Sequence, residues 1–331
     1  MDYRKGLVSA VIVTFNQRKC LERCVRSLLR QSYPYLEIII INNGRDAYLD
    51  SLRVEFSSVK VINNKENLFY SGAQNQGIKV STGEFLLCLN DDVVLEGDFI
   101  KEALKGFDID HKVGMVSGKV LRADKITLDS TGLFLGKSRK PVERGFNQKD
   151  RGQYNKEGYI FGVSGAAAFY RRTMLEDTKD ENGYFDQRYG MFYEDLDLAW
   201  RANKKGWRAY YTPEAVAYHK RGESAKVVIP KIKLLKKYNF ACLNDELKIM
   251  LIKNRYRTII KNDSFLKVML NLPFILAYEI ELYLYITLFS PRLLLQIFKK
   301  EELRQNIKFP EAIEQNAKEI ENVYKKLLTK C

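Results

Sequence analysis

Apolar stretches of strand length alternate with amphipathic stretches of helix length over the first ninety residues. Residues 8–14 form a β-branched apolar run, and apolar side chains then recur every three or four positions across residues 17–30. The alternation continues with strands predicted at 37–42, 59–62 and 85–89 and helices predicted at 48–56 and 71–80. Strands that are apolar throughout and alternate with helices are typical of a parallel sheet covered on both faces. The pattern therefore predicts an α/β domain.

The pattern changes after residue 113. Residues 113–169 contain short strand-like pieces separated by glycines, with a basic polar loop at 137–156. A helix is predicted at 198–205 and a strand near 207–212. We expect a mixed sheet here and one domain over residues 1–228, in two halves of about 1–120 and 121–228.

Residues 229–331 are predicted to form a separate helical region. Between Phe265 and Phe298 the density of apolar residues approaches that of a membrane span, but charged residues and two prolines interrupt it. No uncharged run reaches the roughly 18 to 20 residues that a spanning helix needs. We therefore expect a helical hairpin lying in the membrane interface. The alternative is that these helices pack on the α/β domain or on a second copy of the chain, as a homo-oligomer.

The charge of the chain favours an acidic partner. The formal net charge is +14, and residues 226–331, with 20 Lys/Arg against 11 Asp/Glu, carry +9 of it. Nucleic acid, an anionic membrane surface and phosphorylated substrates are all compatible with this excess. No helix-turn-helix, zinc or RNP-type pattern is present and the charge lies beside apolar helices, so we expect no nucleic-acid partner.

The cysteines and the start of the chain indicate a compartment. The five cysteines are scattered with no C-x-x-C pair, which is typical of reduced thiols in the cytosol. Residues 1–14 show no signal-peptide pattern. We therefore expect a cytoplasmic protein bound peripherally to the inner face of the cell membrane.

Polar residues follow four predicted strands at the point where each strand ends. They are residues 14–16, 42–44, 63–67 and 90–92. Ligands of open parallel sheets bind beyond the carboxyl ends of the strands, although Asn, Asp and Gly are also ordinary turn formers. A dinucleotide site is not expected, because Thr-Phe-Asn-Gln-Arg follows the first strand where G-x-G-x-x-G would be needed.

The triplet Asn90-Asp91-Asp92 is the strongest candidate for a metal site. Two adjacent carboxylates after a buried strand repel each other unless a cation is present. Hard oxygen ligands select Mg²⁺ or Mn²⁺, which keep positions open for substrate phosphates. The alternative is a helix N-cap before residues 93–98.

A second carboxylate cluster, Glu194-Asp195-Leu196-Asp197, follows two aromatic residues. A carboxylate beside aromatic groups can act as a general base near neutral pH, but an acidic first turn of a helix is the simpler interpretation. His219 is one of two histidines and precedes Lys220 and Arg221. A lone histidine is usually structural, whereas these basic neighbours suit a phosphate.

Together these residues resemble the family 2 glycosyltransferases of the GT-A fold, a Rossmann-like mixed sheet with helices on both faces. The resemblance runs from about Leu7 to Ser224 and consists of six segments in the family's order. They are Val11–Asn16, Ile41–Gly44, Asn67–Gly77, Asn90–Asp92 at the D-x-D metal motif, Gly165–Arg172 on the acceptor side, and Glu194–Asp195 at the E-D base motif.

The resemblance implies a metal-dependent, inverting transfer of a sugar from a nucleotide-sugar donor. It assigns Asp195 as the catalytic base, and Asp92 with His219 as ligands of Mg²⁺ or Mn²⁺. The residues expected to contact the donor are Thr14, Asn16, Asn42, Asn43, Asn67, Gly72, Asn75, Asn90, Asp91, Arg201, Lys220 and Arg221. Those expected on the acceptor side are Gly165, Ala166, Glu194 and Trp200.

A narrower resemblance is to bacterial rhamnosyltransferases. It rests on Asp129–Gly132, Phe185–Asp186, residues 194–201 and Lys253–Arg257. It implies dTDP-rhamnose as donor and a polyprenyl-diphosphate-linked saccharide as acceptor, in surface polysaccharide synthesis. UDP-GlcNAc, UDP-galactofuranose and UDP-hexoses remain alternatives, because many relatives place an aspartate where Asn42 stands. A non-catalytic scaffold is a further alternative.

Overall fold

The computed structural model describes residues 3–44, 59–221 and 243–297. The helix predicted at 48–56 and the domain boundary predicted at 228 lie outside these ranges. The chain divides into two compact units. The first contains Met1–Leu135 and Pro141–Lys237, and the second contains Gly136–Lys140 and Tyr238–Cys331.

The first unit follows the predicted alternation of strands and helices. Its strands are β1 (Arg4–Thr14), β2 (Leu36–Asn42), β3 (Val59–Asn63), β4 (Gly83–Asn90), β5 (Val93–Leu95), β6 (Val113–Arg122), β7 (Leu128–Ser130), β8 (Leu133–Leu135), β9 (Pro141–Glu143), β10 (Gly158–Ile160), β11 (Ala167–Arg171) and β12 (Arg208–His219). Its helices are α1 (Arg18–Leu29), α2 (Phe69–Val80), α3 (Phe99–Asp108), α4 (Arg172–Thr178), the 3₁₀ helix Gln187–Tyr189, and α5 (Glu194–Lys204).

The sheet is mixed, with a parallel half and an antiparallel insertion. Its strand order is β10-β12-β6-β11-β4-β1-β2-β3, and the last four strands are parallel neighbours. Strand β11 lies antiparallel between β4 and β6, so Ala167 faces Leu89. The start of β11 therefore lies beside the carboxyl end of β4. Strand β12 runs parallel to β6 and also pairs with the short strand β5.

Helices cover both faces of the parallel half. Alternate residues of β1 point to opposite sides: Ala10 and Ile12 belong to the core that contains α1, whereas Val11 packs with Ala73 of α2. Helix α2 approaches β1 closely, since a Cβ added at Gly77 would lie 2.2 Å from Val11 Cγ1. Burial of apolar side chains on both faces explains why these strands are apolar throughout.

The described residues of the second unit form three helices and a short segment at residues 136–140. The helices are α6 (Asp245–Asn262), α7 (Phe265–Phe289) and α8 (Arg292–Ile297). Helix α7 is continuous through Pro273, so this proline does not divide the apolar stretch into two helices. By length and composition, α7 is long and apolar enough to cross a membrane, and most of it is exposed.

A buried ion pair joins α6 to α7. Arg255 Nε donates to Glu279 Oε1 at 2.9 Å, and Tyr256 Oη donates to the other carboxylate oxygen at 2.5 Å. Arg255 also donates to the carbonyl of Ser138, and Arg139 pairs with Asp263. These contacts hold the segment at 136–140 within the helical unit.

Candidate active site

Several of the predicted site residues of the first unit lie together at one edge of the sheet. The backbone N–H of Asn90, at the end of β4, donates to the carbonyl of Ala166 at 3.0 Å. The next residue back, Gly165, donates its N–H to Asp195 Oδ2 at 3.0 Å. Two hydrogen bonds therefore link the acidic triplet to the predicted base. This proximity depends on β11 running antiparallel beside β4.

Asp91 and Asp92 occupy a turn between β4 and β5, so the N-cap interpretation of the triplet is wrong. Asp91 is buried, and its Oδ2 accepts a 2.6 Å hydrogen bond from Thr14 Oγ1. Burial raises the pKa of Asp91, the Thr14 hydrogen bond opposes this, and the charge of Asp92 adds to the increase, giving a pKa of about 6. Two adjacent carboxylates at this turn are thus electrostatically unfavourable without a cation.

His219, the last residue of β12, lies between two carboxylates. Its Nε2 is 3.1 Å from Asp92 Oδ1, and its Nδ1 is 2.7 Å from Asp129 Oδ2. Burial alone would lower the pKa of His219, but the hydrogen bonds to Asp129 and Asp92 raise it to about 9. The imidazolium therefore donates to both carboxylates in the metal-free protein.

Asp129 organises this cluster, and its role was not predicted from the sequence. The side chain is almost fully buried and also accepts a 2.5 Å hydrogen bond from Arg221 Nε. Burial opposes ionisation, but His219 and Arg221 hold the pKa of Asp129 below its ordinary value. A carboxylate that binds one ring nitrogen of a histidine fixes the ring and directs the other nitrogen outward. In the sequence, Asp129 belongs to the segment Asp129–Gly132, which supports only the narrower resemblance to rhamnosyltransferases and does not point to a contact with His219.

The residues at this edge fit a hard divalent cation. Asp92 Oδ1 and His219 Nε2 converge, and Asp129 supports the ring from behind. Within the described ranges, no group of three or more His, Cys, Asp or Glu side chains converges as a complete ligand set. Asp92 and His219 would therefore supply two ligands, and substrate phosphates and water would supply the others, as Mg²⁺ and Mn²⁺ allow.

The E-D pair begins helix α5 after an unusual backbone. Phe192 and Tyr193 both adopt left-handed conformations, with φ of 70° and 71°. Such conformations cost roughly 1–3 kcal/mol each in residues other than glycine and concentrate at functional sites. They turn the chain so that Glu194 and Asp195 lie in the first turn of α5, at the positive end of its dipole.

Glu194 and Asp195 differ in their surroundings. Glu194 is buried, and its Oε2 has no hydrogen-bond partner in the described part of the chain. Burial, with the nearby charge of Asp195, raises the pKa of Glu194 well above its ordinary value. Asp195 is half-buried and accepts hydrogen bonds from the N–H groups of Gly165 and Leu196, at 3.0 and 2.7 Å. Burial raises its pKa, and these two bonds only partly offset that effect.

The family model "Glycosyl transferase family 2" matches residues 9–179, which is more than half of the chain. The chain belongs to glycosyl transferase family 2. Poly-beta-1,6-N-acetyl-D-glucosamine synthases of Staphylococcus epidermidis and Staphylococcus aureus (strain COL) are 25% and 24% identical over 214 residues, or 64% of this chain. That alignment covers 49% of either synthase, so the chain spans about half the length of these relatives.

Two solved structures have the same fold as this glycosyltransferase. GalNAc-T7, crystallised with UDP, GalNAc and Mn²⁺, superposes with a TM-score of 0.56 at 14% identity, covering 76% of this chain and 48% of that one. TarS of S. aureus superposes with a TM-score of 0.50 at 14% identity, covering 78% and 46%. The predicted GT-A fold is confirmed by these likenesses.

Asparagines at the ends of two neighbouring strands of the transferase, β2 and β3, form one hydrogen-bonded network. Asn42 donates to Asn63 Oδ1 and accepts from the N–H of Gly44, both at 2.9 Å. Asn43 donates to the carbonyl of Phe69 and accepts from Asn64, again at 2.9 Å. The network shapes the edge where the nucleoside was predicted to bind.

Three further residues predicted to contact the donor, Asn16, Asn67 and Lys220, lie near the ends of the strands. Asn67 accepts from the N–H of Phe69, and Asn16 is exposed with its side chain against Gly44. Lys220 is also exposed, with its Nζ 3.8 Å from Cys20 Sγ. Donor contacts of Asn16, Asn67 and Lys220 stay predictions.

Two predicted donor contacts, those of Arg201 and Asn75, are not favoured by the geometry. Arg201 donates from Nε to Asp197 at 2.9 Å and from its terminal nitrogens to the carbonyls of Thr178 and Tyr184, so its guanidinium holds the fold together rather than meeting a phosphate. Asn75 is buried and binds both the N–H and the carbonyl of Phe185, at 2.9 and 2.7 Å. Sequence alone could not show that these polar groups already have partners.

Two further predicted residues are packed inside the fold. Gly72 lies within α2, where an added Cβ would be 3.0 Å from Leu68 Cβ. Trp200 is buried and packs edge-on against Phe161, with ring centroids 6.1 Å apart. Gly72 thus packs closely against Leu68, and the ring of Trp200 is buried against Phe161.

Proposed function

We propose that this family 2 glycosyltransferase is a metal-dependent, inverting enzyme with Asp195 as its catalytic base. The observation that carries the proposal is the common position of Asp195 and the Asp92–His219 pair at one sheet edge, linked through Gly165, Ala166 and Asn90. A base and a diphosphate-binding site must flank the same sugar in a direct displacement. Asp195 and the Asp92–His219 pair lie at one edge of the sheet, which supports assigning these two roles to them.

In the proposed reaction, the acceptor hydroxyl attacks the anomeric carbon of the donor sugar. Asp195 takes the hydroxyl proton as the new C–O bond forms, and the bond from the anomeric carbon to the diphosphate breaks on the opposite face. The nucleoside diphosphate leaves with the electron pair, and the configuration at the anomeric carbon inverts. The raised pKa of Asp195 suits proton transfer near neutral pH.

Asp92 and His219 would hold Mg²⁺ or Mn²⁺ in this proposal. A divalent cation at that position neutralises charge that develops on the leaving diphosphate. Asp129 keeps His219 oriented, and Asp91 stays bound to Thr14. This agrees with the Mn²⁺ that accompanies UDP and GalNAc in the GalNAc-T7 structure.

The donor sugar separates two versions of the proposal. The resemblance of the motifs to rhamnosyltransferases favours dTDP-rhamnose. The names of the staphylococcal relatives and of the GalNAc-T7 structure instead favour a UDP-N-acetylhexosamine, which was the alternative. We propose the UDP-N-acetylhexosamine as the first donor to test and dTDP-rhamnose as the second. Surface polysaccharide is the proposed product class.

We further propose that α7 lies flat on the membrane surface, where a lipid-linked acceptor would be found. One face of the helix is exposed and apolar; it comprises Leu266, Met269, Leu270, Phe274, Ile280, Leu284 and Leu288.

The opposite face carries Glu279, which is near the middle of the helix and paired with Arg255 of α6. A spanning orientation would place this pair and the charged helix α6 at the bilayer centre, which is costly. Helix α6 carries four cations, Lys248, Lys253, Arg257 and Lys261, and their positive charge favours binding near an anionic surface.

The transfer reaction is tested with purified protein, a panel of UDP- and dTDP-sugars, and Mn²⁺ or Mg²⁺. Asp195→Asn should bind the donor as the native chain does while turnover falls by at least about a thousandfold; Asp108→Asn, at an exposed carboxylate, is the matched control. Near-native turnover of Asp195→Asn would eliminate Asp195 as the base. Full activity after EDTA treatment would eliminate the metal, and no turnover with any donor would favour the scaffold alternative.

Membrane binding is tested by co-sedimentation with vesicles that contain anionic lipid. The double variant Leu270→Glu/Leu284→Glu places two charges on the exposed face of α7, and Ile126→Glu places one on an exposed site of the first unit. The α7 variant should lose binding while the Ile126 variant keeps it. Deleting residues 262–331 should also release the protein, so vesicle binding that survives both changes would refute the proposal.

A further inference from the structure

A further carboxylate, Glu143, lies near the candidate active site on a hairpin that the motifs do not include. Strands β8 and β9 pair antiparallel, with Leu133 opposite Glu143. The Glu143 carboxylate accepts a hydrogen bond from Ser130 Oγ, and the same serine oxygen accepts from the N–H of Gly132 at 3.2 Å. The hydroxyl proton of Ser130 is therefore committed to Glu143.

Glu143 lies between the two halves of the proposed chemistry. Ser130 directly follows Asp129, the support of His219, whereas Ser164, which also hydrogen-bonds Glu143, directly precedes Gly165, the residue that binds Asp195. Burial raises the pKa of Glu143, the Ser130 hydrogen bond lowers it, and the nearby charge of Asp195 raises it again, to about 7. The carboxylate is thus close enough to sense the base.

Arg144, which follows Glu143 in the chain, holds the backbone of Glu143 in position. Arg144 donates from Nε to Thr131 Oγ1 at 2.9 Å and from a terminal nitrogen to the Thr131 carbonyl at 2.8 Å. Its guanidinium lies 4.7 to 5.4 Å from the ring centroids of Phe134, Tyr154 and Tyr211. Such a stacked, bonded arginine is rigid, so the backbone at Glu143 is held in place before any ligand binds.

The carboxylate retains capacity for a ligand. A carboxylate offers about four acceptor positions, and the two serines use two of them. No Lys, Arg or His of the described ranges forms an ion pair with Glu143. A half-buried carboxylate with spare acceptor positions and no ion-pair partner suits a neutral ligand that donates hydrogen bonds, such as a sugar hydroxyl.

We infer that Glu143 accepts a hydrogen bond from a hydroxyl of the transferred sugar and so determines donor specificity. The inference rests on the proposed function, because a sugar held between a diphosphate at Asp92 and a base at Asp195 must lie beside the hairpin that carries Glu143. The contact fixes the orientation of the ring; it takes no proton in the displacement. Glu143 is therefore a specificity residue, separate from the base.

The test compares affinities for UDP or dTDP alone with affinities for the nucleotide sugar that the native chain turns over. Glu143→Ala should weaken binding of the nucleotide sugar about tenfold, as expected for the loss of a buried hydrogen bond to the sugar, while binding of the free nucleotide changes less than about twofold. Glu143→Gln should show a smaller loss, because its amide oxygen still accepts. Glu214→Gln, at an exposed position of β12, is the control.

Deoxy analogues of the donor locate the contact. The difference between the native chain and Glu143→Ala should vanish for the one analogue that lacks the bound hydroxyl and persist for the others. Equal loss for the nucleotide and the nucleotide sugar, or native affinity of Glu143→Ala, would overturn the inference while leaving the proposed function intact. A native chain that transfers no sugar would overturn both.

Discussion

Replacing Asp129 by asparagine should lower the pKa of His219. The increase in the pKa of His219 from 6.5 to about 9 corresponds to about 3 kcal/mol in favour of the imidazolium. Asp129 makes the shorter of the two contacts, 2.7 Å against 3.1 Å for Asp92, and we assign at least half of this energy to it. The pKa of His219 in Asp129→Asn should therefore fall to about 8 or lower.

Histidine NMR in the presence of EDTA measures this change directly. The chain has only two histidines, and His111 is exposed, so a His111→Gln variant assigns both signals. Because the folded pKa of His219 is raised, its stabilising effect is fully present below pH 6.5 and is lost as the pH rises through about 9. The loss of stability between these pH values should be smaller in Asp129→Asn. Asp108→Asn is the control, and an unchanged His219 titration in Asp129→Asn would refute the reasoning.

Three other predictions concern the base, a buried arginine and the helical unit. The apparent pKa of the acidic limb of the pH–rate profile should lie above 3.8, because burial raises the pKa of Asp195 and the base must be ionised to accept a proton. An apparent pKa at or below 3.8 would contradict the assignment of Asp195 as the base. Arg201→Ala should lower the free energy of unfolding by about 3–5 kcal/mol, because Asp197 stays buried but loses its ion pair with Arg201. The donor affinity of the folded variant should not change. A selective loss of donor affinity would instead support the predicted contact between Arg201 and a phosphate. In chemical unfolding, Glu279→Ala should destabilise the helical unit by about 3–5 kcal/mol, because it leaves the buried Arg255 without its ion pair. The control Glu246→Ala, at an exposed position, should cost less than about 1 kcal/mol. Equal effects of the two variants would show that the Arg255–Glu279 pair contributes little.

Local sequence patterns determined the secondary structure of this protein and the identity of its family. The alternation of residues 8–30 gave β1 and α1 within a few positions, because apolar periodicity reports which face of an element is buried. The order of the strand-end motifs was sufficient for the GT-A fold. The same periodicity predicts that Asp91 and Asp92 follow the end of a strand, where open parallel sheets bind their ligands.

Only the tertiary structure decided which polar groups are free to meet a substrate. Arg201 and Asn75 matched binding motifs, but contacts with residues 17 and 110 positions away occupy them. Asp129 stood only in a segment that resembles a subgroup of the family, and Glu143 had no local signal for chemistry. Asp129 reaches His219 across 90 residues, and Glu143 reaches the site through a hairpin. A side chain's hydrogen-bond partners depend on which strands become neighbours. That pairing is a property of the whole sheet, and no short segment of sequence contains it.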